Sequence, residues 1–436
     1  MNTLVDQSMT TSTQKTTSHF PMRRWVHGIG RLAISLLILL TLLPVALLPF
    51  VTAVPPAIYL PLAVIDAGLL LLFAGIENTP LRGALTAAFI VTSILAIMFS
   101  QKFATTPPIM GANGLPLPGS IAELASIELN GRQQWITIRG HDQEKPVLLF
   151  LSGGPGGSQL AATRKRLGAL EKNFIVINWD QPGAGKSYSA ADFRTLTPQE
   201  YINDARALTL YLRKRFGEEK IYLMGESWGS LLGIWLVQQA PDEYHAFIGV
   251  AQMVDFLETD SYDYNQALQI ANEKGDADKV KALKNQGPPP YDGDGVAWPV
   301  IEYIMYLSSA MNSNPAITGP GYDTIGDIAA PEYGLIDKMN YVRGLLATMN
   351  ALWPQLWEVD LREEAPVLDV PVYFFEGRHD INAPPYLVED YIQKLEAPHK
   401  ELIWFEHSGH SPWVDESRKV IDLLVNKILD QKDKEV

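Results

Sequence analysis

Residues 221–239 read Ile221-Tyr222-Leu223-Met224-Gly225-Glu226-Ser227-Trp228-Gly229-Ser230-Leu231-Leu232-Gly233-Ile234-Trp235-Leu236-Val237-Gln238-Gln239. A short apolar run, Ile221 to Met224, meets a G-x-S-x-G turn and then a second apolar run, Ser230 to Gln239. That pattern predicts a buried strand, a sharp turn and a helix. Such a turn needs small residues on both sides of Ser227, and it lifts the serine hydroxyl above the carboxyl end of the sheet. Ser227 is therefore a candidate nucleophile.

A serine hydroxyl attacks poorly until a base removes its proton, so a histidine and an orienting acid are expected later in the chain. Asp380 follows a predicted strand (Val370 to Phe375) in the loop Glu376-Gly377-Arg378-His379-Asp380, and His410 follows another (Glu401 to Phe405) in His407-Ser408-Gly409-His410. Both fall at carboxyl ends of strands, where an open α/β sheet places its site. Gly409 frees the loop to turn His410 back towards Ser227, so His410 is preferred to His407. Asp369 precedes its strand and is expected at the wrong end of the sheet. The loop Ser152-Gly153-Gly154-Pro155-Gly156-Gly157 follows a further apolar run, Pro146 to Leu151. The N–H groups of Gly154 and Trp228 would give a two-donor oxyanion hole there.

Strand and helix patterns alternate through most of this region. Strands are predicted at Ile121 to Leu129, Gln133 to Arg139, Phe174 to Trp179 and Ala246 to Val250. Helices are predicted at Pro198 to Phe216, Pro385 to Leu395 and Pro412 to Leu429. Asn130-Gly131 marks a hairpin turn. Alternation of this kind predicts a mostly parallel sheet with helices on both faces. An acidic, irregular stretch interrupts it and reads as an inserted cap. The expected division is a core of residues 121–254 and 362–430, a mainly helical cap at 255–361 and a linker at 101–120.

The first hundred residues have a different character. They carry a net charge of +2 against −16 for the remainder, and no charged residue lies between Leu32 and Ile65. That run exceeds the 20 or so residues one bilayer crossing needs. Three spans are predicted, at about 32–54, 57–74 and 83–100, after a basic tail (1–31) that is disordered at least to residue 20. Lys15, Arg23, Arg24 and Arg31 precede the first span, so the positive-inside rule puts the amino terminus in the cytoplasm. The protein is then a multi-pass cell-membrane protein with its large domain extracytoplasmic. Asp66 falls within the second span, where a carboxyl is expected to be protonated or hydrogen-bonded between helices.

Composition excludes several classes. With no cysteine there are no disulfides, Cys zinc sites or thiol nucleophiles. A formal charge of −14 argues against a nucleic-acid partner. Gly183-Ala184-Gly185-Lys186-Ser187 has the ending of a phosphate-binding loop, but Asp180 stands where its first glycine belongs. Neither a metal nor a cofactor is expected.

Together, the glycine loop Ser152–Gly157, the segment Trp179-Asp180-Gln181-Pro182-Gly183-Ala184-Gly185-Lys186-Ser187, the turn Gly225–Ser230 and the late Asp380 and His410 resemble the proline iminopeptidase branch of the α/β-hydrolase superfamily. The likeness covers roughly residues 115–430 and leaves out the membrane region. It departs at Ser152, where the branch usually has histidine. The resemblance implies an α/β-hydrolase fold and a serine hydrolase with catalytic Ser227, Asp380 and His410, releasing amino-terminal residues from short peptides. It further implies cap acids that hold the substrate's free amino group, for which Glu258, Asp260 and Glu302 are candidates, with Asp255 and Asp263 nearby. A carboxylesterase or lipid-active hydrolase acting on an ester, and an idle membrane scaffold, remain the alternatives. The expected partners are a small peptide or ester and the lipid bilayer.

Overall fold

The computed structural model describes residues 22–76 and 78–429, with side chains from Leu32 onward. Of the predicted tail, residues 1–21 lie outside the described residues. Two compact units divide the described chain. One comprises the residues up to Ala46 together with Leu60–Ala96; the other comprises Leu47–Tyr59 and the residues from Ile97 onward.

Three helices open the chain: α1 (Met22–Val51), α2 (Pro56–Gly75) and α3 (Thr79–Lys102). Each is long and apolar enough to cross a membrane. Pro55 and Pro56 end the first helix and start the second: a residue before proline is driven out of the helical region, whereas proline suits the first helical position. Val64 and Leu71 on α2 are 70% and 78% exposed. Asp66 is buried and accepts a hydrogen bond from the Thr92 hydroxyl of α3 at 2.7 Å.

Eight strands form one sheet: β1 (Ile121–Leu129), β2 (Arg132–Gly140), β3 (Val147–Leu151), β4 (Ile175–Asp180), β5 (Ile221–Glu226), β6 (Tyr244–Val250), β7 (Val372–Gly377) and β8 (Lys400–Phe405). Their order is β1-β2-β4-β3-β5-β6-β7-β8. β2 pairs antiparallel with β1 and β4, and every later pair is parallel. Asn130 and Gly131 turn the first hairpin with φ of 47° and 80°, the conformation for which Asn-Gly is favoured. The central strands are buried on both faces, which explains their unbroken apolar sequence. Leu149, Leu151 and Leu223 enter one core, while Leu148, Phe150, Tyr222 and Met224 enter the other.

Helices α4 (Leu160–Leu167), α5 (Pro198–Phe216) and α6 (Trp228–Gln239) lie between the first six strands. α5 starts as its sequence predicts, with Pro198 in the first turn and the Glu200 carboxylate accepting from the Thr197 N–H at 3.2 Å. Between β6 and β7 come α7 (Phe256–Glu273), α8 (Ala277–Gln286), α9 (Ala297–Asn312), α10 (Thr324–Ile328), α11 (Leu335–Leu352) and the one-turn α12 (Leu361–Glu364). The inserted stretch is mainly helical, as expected. α13 (Pro385–Lys394) follows β7. The single helix expected over Pro412 to Leu429 is instead α14 (Pro412–Asp415), α15 (Ser417–Leu423) and a π-helical turn, Leu424–Leu429. The break falls at Glu416, whose carboxylate accepts from the His407 N–H at 3.0 Å and the Ser408 hydroxyl at 2.7 Å.

Candidate active site

The turn between β5 and α6 is as tight as the sequence requires. Ser227 has φ 53° and ψ −120°, a left-handed conformation rare for a residue with a side chain. Such strain is typically held by surrounding structure at functional sites. A Cβ on Gly225 would stand 2.1 Å from the Gly229 carbonyl oxygen, and one on Gly229 would stand 2.2 Å from that of Leu151. Only glycine fits either position. The Ser227 N–H is tied to the Val250 carbonyl at 2.9 Å, which anchors the turn to the end of β6.

Asp380 and His410, from the loops after β7 and β8, are brought together: His410 Nδ1 and Asp380 Oδ2 are 2.9 Å apart. The other oxygen of Asp380 accepts from the N–H groups of Asn382 (2.7 Å) and Ala383 (3.0 Å), so the carboxylate is fixed on both sides. Burial opposes charge on His410, but the Asp380 carboxylate, its hydrogen bond and the charge of Glu226 outweigh it and raise the imidazole above its ordinary value. The histidine loop meets the serine turn through their neighbours, since the Ser411 hydroxyl donates to Glu226 Oε1 at 2.7 Å.

The glycine loop lies against the same turn, and a Cβ on Gly153 would be 3.5 Å from the Cβ of Ser227. Trp228 is the first residue of α6, so its N–H has no acceptor within the helix. Gln181 links these parts: its Nε2 donates to the Ser152 carbonyl and its Oε1 accepts from Trp228 Nε1, both at 2.9 Å. Ser152, where histidine is usual in the resembling branch, is fully buried. In the run that resembles a phosphate loop, the lysine is engaged elsewhere. Lys186 Nζ is 2.8 Å from Asp337, with both side chains at most 5% exposed, and its N–H donates to Asp180.

The three cap acids named from the sequence separate in space. Glu302 is half exposed and paired with Lys279 at 2.6 Å. Glu258 bonds to Arg362 (3.0 Å) and Tyr386 (3.1 Å) at the surface. Asp260 alone is buried, accepting from Trp353 Nε1 at 2.6 Å, and burial pushes its carboxyl up to about 7 despite that bond. Asp263 is equally buried, and its Oδ1 has no hydrogen-bond partner among the described residues. Burial, then the charges of Asp260 and Asp380, raise it well above the carboxylate range. Its spacing of three from Asp260 on a helix is a signal the sequence offered. Asp380 also borders a cavity of 670 Å³ with Tyr262, Met311, His379 and Tyr386.

Glu226 carries no flag in the motif, where any residue is accepted. It is 2% exposed and takes hydrogen bonds from Gln159 (2.5 Å), Tyr322 (2.8 Å) and Ser411. These partners come from α4's approach, the cap and the histidine loop, and no local pattern foretells their meeting.

The family model described as the alpha/beta hydrolase fold matches residues 146–287. The probable aminopeptidase YbaC of Bacillus subtilis is 30% identical over 307 residues, covering 69% of this chain and 95% of that protein. The proline iminopeptidase of Lactobacillus crispatus is 23% identical over 315 residues, or 70% of this chain and 96% of that one. Among solved structures, the proline iminopeptidase of Mycobacterium smegmatis superimposes with a TM-score of 0.51 at 16% identity, covering 72% of this chain and all of the other.

Proposed function

Because the chain belongs to the α/β-hydrolase family, whose members here include aminopeptidases, we propose that it is a membrane-anchored aminopeptidase using Ser227, His410 and Asp380. The observation that carries this reading is the 2.9 Å bond between His410 and the doubly held Asp380, set beside a strained serine turn. In the proposed reaction Ser227 Oγ attacks the substrate carbonyl while His410 takes the hydroxyl proton. Asp380 orients the imidazole and stabilises its positive charge. The N–H groups of Gly154 and Trp228 receive the oxyanion as it forms. His410 then passes the proton to the leaving amine, and water, activated by the same histidine, hydrolyses the acyl-enzyme.

The preference for a free amino terminus rests on Asp260 and Asp263. Two buried carboxyls with raised pKa values, one with an oxygen unpaired among the described residues, form a site that a substrate ammonium would neutralise. Glu258 and Glu302 are already paired with cations. The three apolar helices would hold the enzyme in the membrane, with the hydrolase domain extracytoplasmic by the positive-inside rule.

The test is hydrolysis of a prolyl amide with its amino group free or acylated, and of a short aryl ester, by the detergent-solubilised chain. Cleavage of the free amide alone, absent in Ser227→Ala, supports an aminopeptidase. Cleavage of the ester with neither amide would refute it.

A further inference from the structure

Helix α11 is two-faced in an unusual sense. Its inward side, Asp337, Asn340, Gly344 and Thr348, is buried. Asp337 pairs with Lys186, and Thr348 packs on the glycine loop, where a Cβ on Gly156 would be 2.7 Å from the Thr348 Cβ. The opposite side carries Leu335, Met339 and Val342 at helical spacing, while Leu346, one turn further on, is partly buried against the hydrolase core. Met339 and Val342 are 64% and 54% exposed, with Ile336 exposed beside them. A surface helix carries polar residues on its outer face, so an apolar one marks a contact with something absent from the isolated chain.

The place where α11 begins indicates what that is. The last turn of α3 caps it. The Ser100 hydroxyl accepts from the Leu335 N–H at 3.0 Å, Gln101 Oε1 accepts from the Ile336 N–H at 3.3 Å, and Gln101 Nε2 donates to Asp337 at 2.9 Å. A 24-residue helix is about 36 Å long, more than the roughly 30 Å of a bilayer's hydrocarbon core. If α3 spans, its last turn emerges at the lipid headgroups, and the first turn of α11 is bonded there.

We propose that the outer face of α11 rests in the headgroup layer of the bilayer, so that the helix packed on the glycine loop is seated on the membrane surface. The proposal depends on α3 being a transmembrane span, and the experiment tests the two separately. The chain has no cysteine, so single cysteines at Met339, Val342 and, as a span reporter, Val64 can each carry an environment-sensitive fluorophore. The labelled full chain is reconstituted in phosphatidylcholine–phosphatidylglycerol vesicles containing lipids with nitroxides at shallow or deep positions, and iodide is added as an aqueous quencher. Probes at Met339→Cys and Val342→Cys are expected to lose most of their fluorescence to the shallow nitroxide and little to iodide, with Val64→Cys quenched by the deep nitroxide. Iodide quenching alone at 339 and 342, with Val64→Cys still lipid-quenched, overturns the proposal while leaving the span intact. Shielding from both quenchers means a protein covers the face, such as a second copy, and also overturns it. Loss of lipid quenching at Val64→Cys removes the spanning helices on which it depends.

Discussion

Asp260→Asn separates stability from substrate binding at one position. The Asp260 carboxyl is buried and holds its proton up to about pH 7, whereas in an unfolded chain it ionises near its ordinary 3.8. The folded state therefore binds the proton more tightly, and stability falls as pH rises through the window from about 4 to 7. At about 1.4 kcal/mol per pH unit, the wild type gives up roughly 4 kcal/mol by pH 8. Asparagine has no charge to lose, and its side-chain oxygen still accepts from Trp353 Nε1. The variant should be more stable than the wild type, and its advantage should grow by about 2 to 3 kcal/mol between pH 5 and pH 8. In thermal unfolding of the detergent-solubilised chain that widens the Tm gap by roughly 5 °C. The same substitution should raise KM for a free prolyl amide above neutral pH and leave an aryl ester unaffected. A Tm difference independent of pH, or a variant less stable at pH 8, would refute the reasoning.

Four further outcomes follow from the same geometry. Asp263→Asn should weaken kcat/KM for free-amino substrates more than for blocked or ester ones, measured by steady-state kinetics on both. With the His410 imidazole raised above its ordinary 6.5, the acid limb of the kcat/KM profile should lie above that value, because the base must be neutral to act, and Asp380→Asn should move the limb down while lowering kcat. Gly225→Ala drives a Cβ to 2.1 Å from a carbonyl oxygen, so little folded protein should be recovered by size-exclusion chromatography. Lys186→Met leaves Asp337 buried without its cation and should cost about 3 to 5 kcal/mol, read as a lowered Tm with no change in the pH profile.

What the sequence disclosed was what short-range pattern controls. Val147–Leu151 and Ile221–Met224 are apolar without alternation because both faces of those strands are covered, and Asn130-Gly131 turns because both residues accept positive φ. The serine turn announces itself through glycines that leave no room for a Cβ. Asp380 and His410 stand at strand ends, which is why loops of unrelated sequence come within hydrogen-bonding distance. Strand order was not legible, since nothing local sets β3 between β4 and β5. Nor was the break at Glu416, where a carboxylate turns to groups nine residues back instead of continuing a helix. Cap acids were legible only as acids. Whether Glu302 meets Lys279 or a substrate depends on how α8 and α9 pack, and the apolar spacing of those helices is blurred by the polar residues around it. Glu226 was hidden most completely, because its partners Gln159, Tyr322 and Ser411 are separated from it by 67, 96 and 185 positions.

The nucleophilic role of Ser227 is the claim on which the rest depends, and an active-site phosphonylating probe reads it directly. The solubilised wild type is treated with a fluorophosphonate, alongside Ser227→Ala and Asp263→Asn, and the adduct is located by peptide mass spectrometry. One adduct is expected, on Ser227, absent from Ser227→Ala and retained in Asp263→Asn. Labelling of Ser227→Ala at wild-type rate, or an adduct on another serine, would contradict that claim.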